Sequence, residues 1–130
     1  MSAPAYAPLA LASPFLDGRM ALLTDGGSPR RFAIHVLASH CNAQGLAHGG
    51  FLATLSDVAA AYTLAPWLPD HARVLTTSLR IDYVAAVRAG DFLESVPDRL
   101  RLGRRSAVVT GAWLCGAAEV VLFSASFTQR

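Results

Sequence analysis

The chain has 130 residues, enough for one domain and too few for two. Hydrophobic residues make up 53% of it and charged residues only 15%, a balance that points to an apolar face covered by a second copy of the chain. The net charge of +2 rests on arginine, with no lysine and no basic block longer than two residues, which argues against a nucleic-acid partner. Cys41 and Cys115 support neither a disulfide framework nor a zinc site and read as free thiols in a reducing compartment. No stretch reads as a membrane span, and the uncharged start lacks the basic residues of a secretory leader. The expected location is cytoplasmic.

One domain is expected over residues 1–130, with residues 1–14 a loosely ordered lead-in punctuated by Pro4, Pro8 and Pro14. Gly18 to Thr24 reads as a first strand, closed by the turn Asp25-Gly26-Gly27. Arg31 to Leu37 alternates, with Phe32, Ile34 and Val36 on one face and Ala33 and His35 on the other. From Gly49 to Ala65 the chain reads GGFLATLSDVAAAYTLA, a helix stopped by Pro66 and apolar nearly all round. Such a helix is buried on most of its surface. Asp57 is its only charged residue.

After a loop at Pro66 to Asp70, strand patterns return. Leu75, Thr77, Leu79, Ile81 and Tyr83 fall on one face, and Thr76, Ser78, Arg80 and Asp82 on the other. Turns at Ala89-Gly90, Gly103-Arg104-Arg105 and Gly116-Ala117-Ala118 then separate strands over Asp91 to Leu102, Ala107 to Cys115 and a last run carrying Val121, Phe123, Ala125 and Phe127. Short turns imply antiparallel neighbours. The fold class is α+β: two strands, a buried helix, then four strands, as a curved antiparallel sheet wrapped round one helix.

The chemistry concentrates at the helix start, in Asn42, Gly45, His48, Gly49 and Gly50, followed by Asp57. Two glycines let a substrate approach the backbone, and the free amides with the helix dipole favour a carbonyl oxygen gaining charge. Asn42 and His48 add hydrogen-bonding groups, and Asp57 is the candidate base. Seven residues separate Gly50 from Asp57, a rise of about 10 Å, too far for both to reach one carbonyl. An antiparallel second copy across a two-fold axis brings them together. Taken singly, each residue has an ordinary explanation: a carboxylate pointing to solvent, a helix-start histidine, an asparagine capping a turn, glycines relieving crowding. Their joint spacing favours a site.

These residues resemble the hotdog-fold acyl-CoA thioesterase superfamily, in particular its PaaI-like branch. The pattern is Asn42, Gly45, His48-Gly49-Gly50 and Asp57 nine positions after the histidine, followed by small residues Ala59 to Ala61. The likeness runs through the third strand, Arg88-Ala89-Gly90-Asp91 and the Gly103-Arg104-Arg105 hairpin, over roughly residues 15 to 128. It implies five or six antiparallel strands around one helix, dimers and commonly a homotetramer built as a dimer of dimers. It also implies acyl-CoA hydrolysis without metal or organic cofactor, CoA being part of the substrate. By the same resemblance the Gly49 amide polarises the thioester carbonyl with His48 beside it, and the Gly50 region helps hold the substrate. Asp57 of the partner chain activates water or attacks directly. Asn42 positions the substrate near the departing sulfur, and Thr76 holds the water, Thr77 or Ser78 fitting if the register slips. Where relatives often carry Arg-Pro after the third strand, this chain has Ala85-Ala86, which leaves Arg104, Arg105 and Arg88, with Arg99 and Arg101 behind them, as candidates for the CoA phosphates.

Other readings stand beside this one. A serine hydrolase fails, because no G-x-S-x-G elbow exists and the chain is too short for that sheet. A hydratase or dehydratase on the same fold lacks an evident pairing of an early histidine with a carboxylate. A non-catalytic acyl-CoA-binding or sensor module would not need an acid aimed at a carbonyl.

Overall fold

Leucine and alanine from residue 51 to 64 favour a helix, and Pro66 cannot continue one. The result is helix α1, Gly49–Leu64, running into a single 3-10 turn over Ala65–Trp67. The structure, a computed structural model, describes residues 5–69 and 73–129. The first four residues of the expected lead-in and the Asp70 end of the expected loop lie outside the described residues.

Seven strands surround the helix: β1 Ala7–Pro8, β2 Leu23–Thr24, β3 Phe32–His35, β4 Val74–Tyr83, β5 Phe92–Leu102, β6 Ser106–Cys115 and β7 Ala118–Gln129. They form one open antiparallel sheet in the order β1-β2-β3-β5-β6-β7-β4. The count exceeds the expected five or six, because part of the lead-in pairs with the sheet. Tyr6 holds it there: its hydroxyl donates to Glu94 at 2.8 Å, and burial together with that carboxylate pushes the phenol above its ordinary range. The expected first strand is shortened to two residues, since Ser13 to Met20 close a turn through Leu16 N–H to Ser13 O (3.1 Å) and Arg19 N–H to Leu16 O (2.9 Å).

Strand β4 also departs from its alternation. Opposite β7, Thr76 pairs with Phe127 but Ser78 pairs with Ser126, so Thr77 is an extra, bulged residue. A one-residue bulge exchanges the faces on its two sides. Thr76 therefore shares the helix-facing side with Leu79, Ile81 and Tyr83, whose β7 partners Ala125, Phe123 and Val121 are buried, while Leu75 turns outward.

The core lies between α1 and the concave sheet face, where Leu52, Leu55, Ala59 and Leu64 meet Phe32, Ile34, Leu93, Val109, Trp113, Val121 and Phe127. Within it Ser56 is fully buried (0% exposed). Its Oγ donates to Leu52 O at 2.8 Å and accepts the Trp113 indole N–H at 3.1 Å. That bond ties the roll of the helix to strand β6. Ser56→Ala leaves the buried indole N–H unpaired, and we expect a loss of about 1–3 kcal/mol of stability, measured by urea unfolding.

Candidate active site

The helix start is assembled from three segments. His48 is the N-cap of α1, in an extended backbone conformation, and its Nδ1 accepts the Gly50 N–H at 3.1 Å. The ring proton of neutral His48 then sits on Nε2, facing outward from an exposed side chain. This bond commits the Gly50 amide within the chain. The Gly49 amide makes no hydrogen bond among the described residues. It is a free donor at the positive end of a 16-residue helix. Tyr83 covers the other side, donating from its hydroxyl to Gly49 O at 2.7 Å. A Cβ at residue 49 would stand 3.3 Å from that hydroxyl, so glycine makes room for it.

His40, ahead of the helix, ties these parts together. It is buried, its Nδ1 accepts the Leu37 N–H (3.0 Å), and its Nε2–H donates to Arg19 O (2.7 Å). The His40 carbonyl accepts the His48 N–H at 2.9 Å, and its ring stacks on Phe51 with centroids 4.0 Å apart. One residue thus joins the Ser13–Met20 turn to the helix cap.

Asn42 has a local task. Its Oδ1 accepts the N–H groups of Gln44 (2.9 Å) and Leu46 (3.2 Å), shaping the loop before the helix. Gly45 completes that loop at φ +77°. Only the Asn42 carboxamide nitrogen remains for a ligand. Leu46 forms an isolated bridge to Arg88, which places Arg88 at the mouth of the helix start.

Asp57, half-buried, lies farther along the helix and accepts a hydrogen bond from Thr76 Oγ1 at 2.8 Å. Of the three strand candidates Thr76 alone makes this contact, because the bulge turns it inward. Eight residues separate Gly49 from Asp57, about 12 Å along the axis, so one chain does not bring both to one carbonyl. Arg104 and Arg105 sit at the exposed tip of the β5–β6 hairpin, where the Arg105 carbonyl accepts from Gln129 N–H near the start of β4, the end opposite Tyr83. In the single chain they are not joined to the helix start.

Two cavities flank the helix start. One, of about 540 Å³, is lined by Phe15, Met20, Cys41, His48, Gly50 and Phe51 among others. The other, of about 390 Å³, lies between Asn42, Gly49, Tyr83 and Val84 to Val87. Tyr83 was missed as a site residue because, on the strand, it reads as one more apolar face position; its hydroxyl at the strand end was the available signal. No group of three or more His, Cys, Asp or Glu side chains that could hold a metal ion occurs among the described residues, nor does a helix long and apolar enough to cross a membrane.

The profile of the thioesterase superfamily matches residues 44–123, from the loop before the helix to strand β7. The chain belongs to that superfamily. Its architecture, one central helix in a curved antiparallel sheet, is the hotdog fold. Over 124 residues this thioesterase-superfamily chain is 33% identical to the Pseudomonas aeruginosa protein named "Putative esterase PA0474", covering 94% of this chain and 92% of that one. A variant of phenylacetic acid degradation protein PaaI from Thermus thermophilus is similar in structure with a TM-score of 0.75, 28% identity, and coverage of 89% of this chain and 98% of that one. The BH2602 protein of Bacillus halodurans, solved with CoA, is similar with a TM-score of 0.74 and 25% identity over 84% of this chain and 71% of that one.

The two tasks of Asn42 separate by substitution. Asn42→Ala removes the acceptor for two amides and is expected to cost about 1–2 kcal/mol of stability. Asn42→Asp keeps the acceptor and is expected to stay within about 0.5 kcal/mol of the parent in thermal or chemical unfolding.

Proposed function

We propose that the protein hydrolyses an acyl-CoA thioester to the free acid and CoA, in a site shared between two antiparallel copies of α1. The observation that carries this reading is the pair of groups on one helix: an uncommitted Gly49 N–H at its start, and Asp57 held toward β4 by Thr76. The amide meets the need of an acyl-transfer site for a fixed donor where negative charge develops. The carboxylate meets the need for a base or nucleophile.

In this site the thioester carbonyl oxygen accepts the Gly49 N–H of one chain, with the His48 Nε2–H beside it. Asp57 of the partner chain takes a proton from water as the water oxygen adds to the carbonyl carbon. The carbon–sulfur bond then breaks, and the proton returns to the departing thiolate. Direct attack by the carboxylate to form an acyl anhydride, followed by hydrolysis, balances equally well. Thr76 orients Asp57 in both routes. Neither route calls on a metal or organic cofactor. In this reading the pantetheine arm would occupy the cavity beside Asn42 and Tyr83, which Ala85 and Ala86 also line, with Arg88 nearby through its bridge to Leu46. Arg104 and Arg105 contribute to CoA binding only from the partner chain.

Strand β4 supports the pairing. It is an edge of the sheet, with an unpaired row of backbone donors and acceptors, and it exposes Leu75 (50%), Leu79 (36%) and Tyr83 (54%). An edge of that length and apolarity is a surface for a second copy. The proposed assembly is a dimer through this edge and the adjoining helix, with tetramers formed by two such dimers.

Two measurements test the reading. Asp57→Asn is expected to lower kcat on acyl-CoA by at least about 100-fold with unfolding behaviour retained. Free CoA release that persists in this variant would remove Asp57 from the mechanism, and micromolar binding without turnover across an acyl-CoA panel would favour a sensor. Leu79→Arg, which sets a charge on the edge strand, is expected to give monomers by light scattering and to abolish turnover; active monomers would refute the shared site.

A further inference from the structure

The turn ahead of the helix holds an exposed aromatic ring in a fixed place. Phe15 is 60% exposed, yet its ring is covered by the Arg19 guanidinium 5.1 Å from the centroid, and the same guanidinium donates to Phe15 O at 2.9 Å. Gly18, at φ +72°, allows the chain to turn so that Arg19 comes back over Phe15. Buried Leu16 anchors the turn to the protein, and His40 fastens it by donating to Arg19 O. An exposed ring covered on one face by a tethered guanidinium is positioned, and its neighbours indicate for what.

Phe15 lines the 540 Å³ cavity that contains His48 and Gly50, and it also lines a second cavity of about 350 Å³ that contains Asp57 and Val58. Thr54, midway between Gly50 and Asp57 on the helix, lines both as well. A groove therefore follows one face of α1 from its amide-rich start to its carboxylate, and Phe15 stands across it. In the proposed dimer the two ends of this groove serve different reaction centres, since the helix start of one chain works with the Asp57 of the other.

We propose that Phe15 is a specificity-determining side chain that closes the cavity at the helix start and restricts the substrate to compact apolar acyl groups. The cavity includes His48, whose Nε2–H lies beside the Gly49 donor in the proposed site, and is walled by Met20, Cys41 and Phe51, so the acyl group is the part of the substrate placed to meet it. A short aliphatic chain or a single ring can stay on the helix-start side of the Phe15 ring. A long straight chain needs the space beyond the ring. The inference rests on the thioester-hydrolase reading and adds the substrate class to it.

The test measures kcat/KM for butanoyl-CoA and dodecanoyl-CoA in the full-length parent, Phe15→Ala, Phe15→Leu and Arg19→Ala. The dodecanoyl-to-butanoyl ratio is expected to rise at least about tenfold in Phe15→Ala, by an intermediate factor in Phe15→Leu, and in the same direction in Arg19→Ala, where the clamp is lost. Loosening of the turn without a specificity role would lower both substrates in proportion and leave the ratio where it was. A ratio within about twofold of the parent in Phe15→Ala, with the parent active, overturns this proposal and leaves the hydrolase reading standing. A parent that releases CoA from neither thioester overturns the hydrolase reading, and this inference with it.

Discussion

The hydrogen bond from the Trp113 indole to the Ser56 hydroxyl sets the geometry on which the rest depends. A helix apolar nearly all round has no preferred face to bury, so hydrophobic burial alone does not fix its rotation inside the sheet. A buried polar pair does, because either group left alone would lose a hydrogen bond with no water to replace it. With Ser56 locked against β6, the next residue must emerge on the flank toward β4, and that residue is Asp57. The same rotation sends Leu52, Leu55 and Ala59 into the core and leaves Gly50 and Thr54 on the accessible side.

Much of this was legible in the chain before any coordinates. The apolar run stopped by Pro66 marked the helix, the glycine-bearing turns marked the hairpins, and the spacing from Asn42 to Asp57 singled out the candidate site. Three features were not legible, each for a physical reason. The bulge at Thr77 leaves no signature in an alternating pattern of threonines and serines, so the faces of Leu75 and Thr76 came out reversed. The pairing of Ala7–Pro8 depends on the Tyr6 hydroxyl reaching Glu94, 88 residues away, which no local pattern encodes. Gly18 to Met20 carry residues as compatible with a strand as with a turn, and contacts to His40 and Phe15 decide between them. At the site, Thr76 was one of three open choices, and the loop-shaping bonds of Asn42 match the ordinary reading of that residue while leaving its nitrogen unspent.

The apolar composition also finds its place. Little of the excess is hidden inside a single chain, because the sheet is open and β4 carries exposed side chains on both faces. Part of the exposed apolar surface, Leu79 in particular, sits where α1 and the edge strand meet, beside Asp57. An acid at the border of an apolar surface is poorly hydrated once that surface is covered, so in the proposed dimer assembly and chemistry would draw on the same residues.

His40 ties the roof of the groove to its floor. Its imidazole uses both nitrogens and one ring face, toward Leu37, Arg19 and Phe51, and its carbonyl holds the helix cap. A rivet of this kind transmits displacement: a bulky guest that lifts the Phe15 turn pulls on the backbone that aims the Gly49 donor. In the proposed site, fit at the far end of the acyl group would thereby be felt as alignment at the carbonyl, and discrimination between guests would become a matter of rate as well as of grip.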